Sequence, residues 1–121
     1  MPEIQAGGSL EWEDFGDVTV LRVKVPMLRG DEQTEAVFRQ AFSLVQERGR
    51  SQLVLNLDGV VFFASMAIGK LAQLIHKTRS AGGKLTACKV TRTVEDLLRL
   101  THLSDILFLY ADEQEAVRSY G

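Results

Sequence analysis

Leu53-Val54-Leu55-Asn56-Leu57, then Asp58-Gly59, Val60-Val61-Phe62-Phe63 and the run from Ser65 to Ser80, is the stretch from which the rest of the chain can be ordered. The first five residues are almost continuously apolar, the pattern of a central strand covered on both faces. From Ser65 onward the period changes: Ala67, Ile68, Leu71, Leu74, Ile75 and Thr78 recur at three and four, with Lys70, Gln73, His76, Lys77 and Arg79 elsewhere. That spacing predicts an amphipathic helix, ended by Gly82-Gly83. A buried strand followed by a one-sided helix is the repeating unit of a layered α/β domain.

Working backwards, Asp31 to Arg48 predicts another helix, with Val37, Phe38, Ala41, Phe42 and Val45 on one side. Asp31 is its N-cap and Gly49 its stop. Before it, Leu10–Phe15 and Val18–Val25 flank Gly16-Asp17, a two-residue hairpin signal, because glycine accepts the positive φ of the first turn position. Pro26 ends the second strand. A helix between the hairpin and Leu53 predicts a crossover, and hence parallel pairing across it.

Working forwards, Lys84–Val90 predicts a strand and Thr91 caps a third helix through Val94, Leu97 and Leu98. Ile106–Tyr110 predicts a last strand, and Asp112-Glu113-Gln114-Glu115 an acidic capping box for a short final helix. The predicted order is ββαβαβαβα. The chain divides into an N-terminal extension, residues 1–9, and one domain, residues 10–121.

Composition narrows the function classes. The chain has 121 residues, 14 basic and 16 acidic side chains, net charge −2, one cysteine and two histidines. A single cysteine excludes an internal disulfide framework and, with two histidines, leaves little material for a zinc site. Near-neutral charge argues against direct nucleic-acid binding. The first nine residues lack the features of a targeting signal, and no apolar run has the ~20 residues of a membrane span, so a cytoplasmic protein is expected.

Catalytic material is equally scarce. Neither His76 nor His102 has a spacing signature with Ser65 or Cys88. His102 falls where a left-handed residue ends a helix. Cys88 reads as a small buried hydrophobe. The hairpin carboxylates Glu11, Glu13, Asp14 and Asp17 read as an edge guarded against strand addition. No catalytic residue, metal site or cofactor is therefore expected. Ser65 falls at or beside the N-cap of its helix, and its plainest role is to cap it. The sharper role is phosphorylation, since ~1.5–2 added negative charges sit well at the positive end of a helix and alter the surface a partner reads.

Leu53 to Phe62, then Ser65 and Gly69, Ala81-Gly82-Gly83-Lys84-Leu85, and Leu97 to Leu107, together resemble the STAS domain, the family of bacterial anti-sigma factor antagonists. The family pattern runs Asp-Ser-Ser-Gly-Leu-Gly into a helix, where this chain has Ala64-Ser65-Met66-Ala67-Ile68-Gly69. The resemblance implies a STAS-like α/β fold: a mixed four- to five-stranded sheet with about four helices packed mainly on one face. It implies a non-catalytic partner-switching role. The unphosphorylated domain binds an anti-sigma factor, often a serine protein kinase. Phosphorylation of the serine that aligns with Ser65 breaks that complex, and a serine phosphatase restores it. Ala64, Met66 and Ala67 depart from the pattern and make the loop more apolar. The expected contact surface is Phe63, Ala64, Ser65, Met66, Lys70, Gln73 and Lys77, of which Lys70, Gln73 and Lys77 form either a basic face meeting an acidic partner or a solvated helix face. The alternative is an unphosphorylated scaffold or sensory module, self-associating through the hairpin and an exposed Trp12.

Overall fold

The computed structural model describes residues 4–6 and 8–121. Its strands are β1 (Ile4–Ala6), β2 (Leu10–Phe15), β3 (Val18–Val23), β4 (Met27–Leu28), β5 (Gln52–Asn56), β6 (Phe62–Phe63), β7 (Lys84–Cys88) and β8 (Phe108–Tyr110). Its helices are α1 (Glu32–Gln46), α2 (Ser65–Ser80), α3 (Arg92–Leu100) and α4 (Glu113–Arg118), with a 3-10 turn at Leu103–Asp105.

Gly16 takes φ of +61°, which reverses the chain within two residues and pairs Phe15 with Val18 and Leu10 with Val23, antiparallel. From β3 outward every neighbour is parallel: β3 with β5, β5 with β7, β7 with β8. The sheet therefore runs β1-β2-β3-β5-β7-β8, mixed, as a STAS-like α/β fold requires. The predicted strands supply five of its members. Ile4–Ala6, within the expected extension, add a sixth by pairing antiparallel with β2. That pairing corrects the reading of β2 as a guarded edge: the edge position belongs to β1.

Strand alternation sorts the side chains. Leu21, Val23, Leu53, Leu55, Leu85 and Ala87 face α1, α2 and α3 and form the large core with Phe38, Leu44, Leu71, Leu74 and Leu98. Val18, Val20, Val54 and Cys88 face the other way, under Ala116 of α4. Three helices thus cover one face and one short helix the other. Fully burying a leucine contributes ~1.5–3 kcal/mol, so most of the apolar stabilisation lies on the three-helix face.

The remaining pair, β4 and β6, forms a separate two-stranded parallel sheet, Met27 beside Phe62 and Leu28 beside Phe63. It sits at the junction leading into α2. At the other end of α2, Gly83 has a steric role: a Cβ there would lie 2.0 Å from the Ser51 carbonyl oxygen. The strand predicted to reach Val90 ends at Cys88, because Lys89 turns left-handed at φ +57°. The strand predicted from Ile106 begins only at Phe108. His102 is left-handed at φ +62°, as its position after α3 suggested.

Candidate functional site

The junction between β6 and α2 is held by backbone bonds to the chain beside it. Val61 N–H donates to the Pro26 carbonyl (2.8 Å) and Ala64 N–H to the Leu28 carbonyl (2.7 Å). Ala64, extended at φ −72° and ψ 164°, is the N-cap residue, and its methyl group caps nothing. Ser65 is the first helical residue and is exposed. This corrects the capping role: the serine stands one position too late to act as N-cap. The other three α-helices differ. Asp31 accepts from Thr34 N–H, Thr91 from Val94 N–H and Asp112 from Glu115 N–H. The first-turn N–H groups of α2 lack intrahelical acceptors, as in any helix, and no side chain caps them.

The wall beside Ser65 comes from the loop between β4 and α1. Gly30, at φ +85°, lies against Ala64 and Met66, so that a Cβ on it would reach 3.8 and 3.7 Å from their Cβ atoms. Next to it, the Asp31 carboxyl is held below its ordinary pKa, chiefly by the Thr34 N–H it accepts. Ser65 is thus flanked along the chain by a methyl and a thioether that pack against Gly30.

The predicted contact residues do not all share one surface. Ser65 and Gln73 lie on an exposed ridge of α2 with Gly69 and His76, at spacings of four, four and three. Lys70 and Lys77 are half-buried, each ammonium about 6 Å from the Phe42 ring of α1 (6.0 and 5.8 Å). Ala64 and Met66 are half-buried. Phe63 is buried at 3% exposure, filling the core, and its side chain is not on the surface. Phe62 (46%) and Val61 (44%) face out instead, with Leu97 and Leu100 across a groove of about 340 Å³.

Elsewhere the polar side chains are tied to one another. Arg22 of β3 meets Glu113 through two bonds (Nε–Oε2 2.7 Å, Nη2–Oε1 2.9 Å), and its Nη1 meets Glu11 (3.0 Å) and Glu13 (2.9 Å). The guanidinium holds the Glu113 carboxyl below its ordinary pKa, helped by a hydrogen bond from Asn56. Asp14 is likewise lowered by Arg50, which it binds at 2.7 and 3.0 Å. Trp12, expected to be exposed, is half-buried and packed on the core, with Arg50 and Arg48 at 4.8 and 5.7 Å from its ring. Cys88 is fully buried, and burial pushes its thiol up to about 12, far from a reactive thiolate. Among the described residues no three His, Cys, Asp or Glu side chains form a set able to hold a metal ion, and no helix is long and apolar enough to cross a membrane.

Sheet order, helix placement and the strand-to-helix junction at Ser65 define a STAS-like α/β fold. The chain belongs to the STAS domain family, whose model matches residues 9–116. An anti-sigma-factor antagonist (STAS) domain protein from Planctomyces limnophilus superposes with a TM-score of 0.82 at 22% identity, over 96% of this chain and 100% of that one. An anti-sigma factor antagonist from Mycobacterium paratuberculosis gives 0.74 at 24% identity, covering 91% of each chain. The phosphorylated form of the Bacillus cell fate determinant SpoIIAA gives 0.70 at 12% identity, covering 100% of each. At such identities the likeness speaks for the fold.

Proposed function

We propose that this protein is a non-catalytic, cytoplasmic regulator of the anti-sigma factor antagonist type, controlled by phosphorylation at Ser65. Its partner is an anti-sigma factor or serine protein kinase in a partner-switching pathway, with a serine phosphatase reversing the modification. The observation that carries this reading is the exposed Ser65 at the first position of a helix without a side-chain cap. A phosphate there meets the positive end of α2 and the free first-turn N–H groups, so it is accommodated without unfolding the helix. It also places ~1.5–2 negative charges beside Ala64 and Met66, where an apolar partner surface would have to desolvate them.

The contact surface in this reading is the ridge Ser65–Gly69–Gln73 with the flanking Ala64, Met66 and Lys70. Lys77 lies at its far end, and Phe63 contributes from beneath by fixing the loop. Self-association through the hairpin is less well supported, because Trp12 lies beneath Arg48 and Arg50 and β1 covers the edge of β2.

Incubation with the serine kinase encoded nearest to this gene, read by intact mass, tests the switch. The wild type gains one phosphate and Ser65→Ala gains none, and the phosphorylated form loses affinity for that kinase by at least tenfold. A wild type that stays unphosphorylated but binds would leave a docking protein without the switch. One that neither binds nor is modified would end this reading.

A further inference from the structure

The face of the sheet under α4 carries a polar cluster that the proposed partner surface does not use, and one residue in it has both ends of its side chain engaged. Asn56, the last residue of β5 and 9% exposed, donates from Nδ2 to Glu113 Oε2 at 2.5 Å. Its Oδ1 accepts the backbone N–H of Asp58 at 2.9 Å. A carboxylate on one side and an N–H on the other fix which end of the amide is nitrogen. Glu113 is itself clamped by Arg22, so Asn56 stands between the anchor of α4 and the Asp58-Gly59 turn.

Beyond that turn Val60, Val61 and Ala64, on the way to Ser65, are each strapped down. Val60 N–H donates to the Leu57 carbonyl (3.0 Å), and the Val60 carbonyl accepts from Thr91 Oγ1 (2.8 Å). Val61 and Ala64 are bonded to Pro26 and Leu28 as described. A change at Asp58 therefore has little slack to disappear into before it reaches the start of α2.

We propose that Asn56 is a positioning residue that couples the docking of α4 to the conformation of the loop presenting Ser65. Whatever lifts α4 from the sheet then loosens that loop, and whatever seats α4 stiffens it. The functional meaning rests on the partner surface proposed above; the coupling itself can be measured on the isolated protein. The side-chain chemistry is specific. Aspartate would keep the acceptor for Asp58 but turn a like charge toward Glu113, and leucine would leave the Asp58 N–H without its acceptor.

Two internal reporters make the test direct. Cys88 lies under Ala116, so its reaction with a neutral thiol reagent reports α4 lifting. Exchange of the Asp58 amide hydrogen reports the turn. Glu113→Ala should speed both, the Asp58 amide by about fivefold or more, while amides in the middle of α3 stay unchanged. Asn56→Ala should speed Asp58 exchange alone. In that background Glu113→Ala should add less than about twofold at Asp58 while still exposing Cys88. Glu113→Gln, which keeps an acceptor for Asn56, should restore most of the Asp58 protection and serves if the alanine variant does not fold. Asp58 exchange that ignores Glu113, or effects of the two residues that simply multiply, overturns the coupling. Absence of Ser65 phosphorylation leaves these measurements untouched, so failure of the functional reading and failure of the coupling are distinguishable.

Discussion

On one face of the sheet, α1, α2 and α3 bury Leu21, Leu55, Leu71, Leu74 and Leu98 to 2% exposure or less. On the other, the six-residue α4 lays Ala116 over Val18, Val20, Val54 and Cys88 and is held by Glu113 on Arg22. The first face rests on non-directional burial, which tolerates small displacements and carries most of the stability. The second rests on a few oriented contacts around a partly exposed guanidinium, whose net contribution is modest and whose geometry is all or none. This division predicts that α4 is released before the three-helix face unfolds.

Substitutions of decreasing effect can break that contrast. Leu74→Ala, at the centre of the three-helix face, should cost ~2–5 kcal/mol, read as a lower urea midpoint with an unchanged slope. Arg22→Met removes the cation but leaves Glu11, Glu13 and Glu113 without it. It should cost less, ~1–3 kcal/mol, given the residual exposure of the cluster. If Arg22→Met proved the more damaging of the two, the division of labour between the faces would be reversed.

Acid should separate the faces as well. The folded-state pKa of Glu113 is depressed, so its contribution is fully present above the ordinary glutamate value of 4.5 and fades as pH falls through the lowered one. Amide signals of α4 should therefore weaken in that range before those of α2, and Arg22→Met should abolish the difference. Signals of α2 that fade together with α4 would mean the two faces unfold as one unit.

The smallest effect concerns the helix starts, where the same contrast recurs in miniature. Asp31, Thr91 and Asp112 cap their helices, and Ala64 does not. Ala64→Asp should stabilise the protein by ~0.5–1 kcal/mol in thermal or urea unfolding. No gain would mean that the start of α2 already has its N–H groups satisfied by other means.

Features set within a few residues were legible in the sequence. The Gly16-Asp17 turn, the caps at Asp31, Thr91 and Asp112, the left-handed His102 and the span of α2 all depend on neighbours close along the chain. The buried state of Cys88 followed from strand alternation. Features joining distant segments were not. Glu113 read as part of a capping box, and nothing in its surroundings announced Arg22, 91 positions away. Period two says that Phe62 and Phe63 point opposite ways but not which one enters the core. That was decided by pairing with β4, a two-residue strand too short to show any period. Lys70 and Lys77 read as an outward face, for a partner or for solvent, because the ring they cover belongs to another helix. For Ser65 the difference was a single position, within the usual uncertainty of helix ends, yet it separates a capping hydroxyl from a presented one.

The Gly16-Asp17 hairpin has a consequence for how the chain acquires its structure. It is closed by two residues, whereas β3 finds β5, β5 finds β7 and β7 finds β8 only across intervening helical segments. Hairpins form in ~1–10 μs, and non-local pairings wait on larger loop closures. The hairpin should thus be the earliest pairing, marginal on its own and made stable once β5 adds to its open edge, with the remaining strands following outward. Since α4 docks across strands that must already be in place, the Arg22–Glu113 contact should form late in folding, and its loss should come early in unfolding.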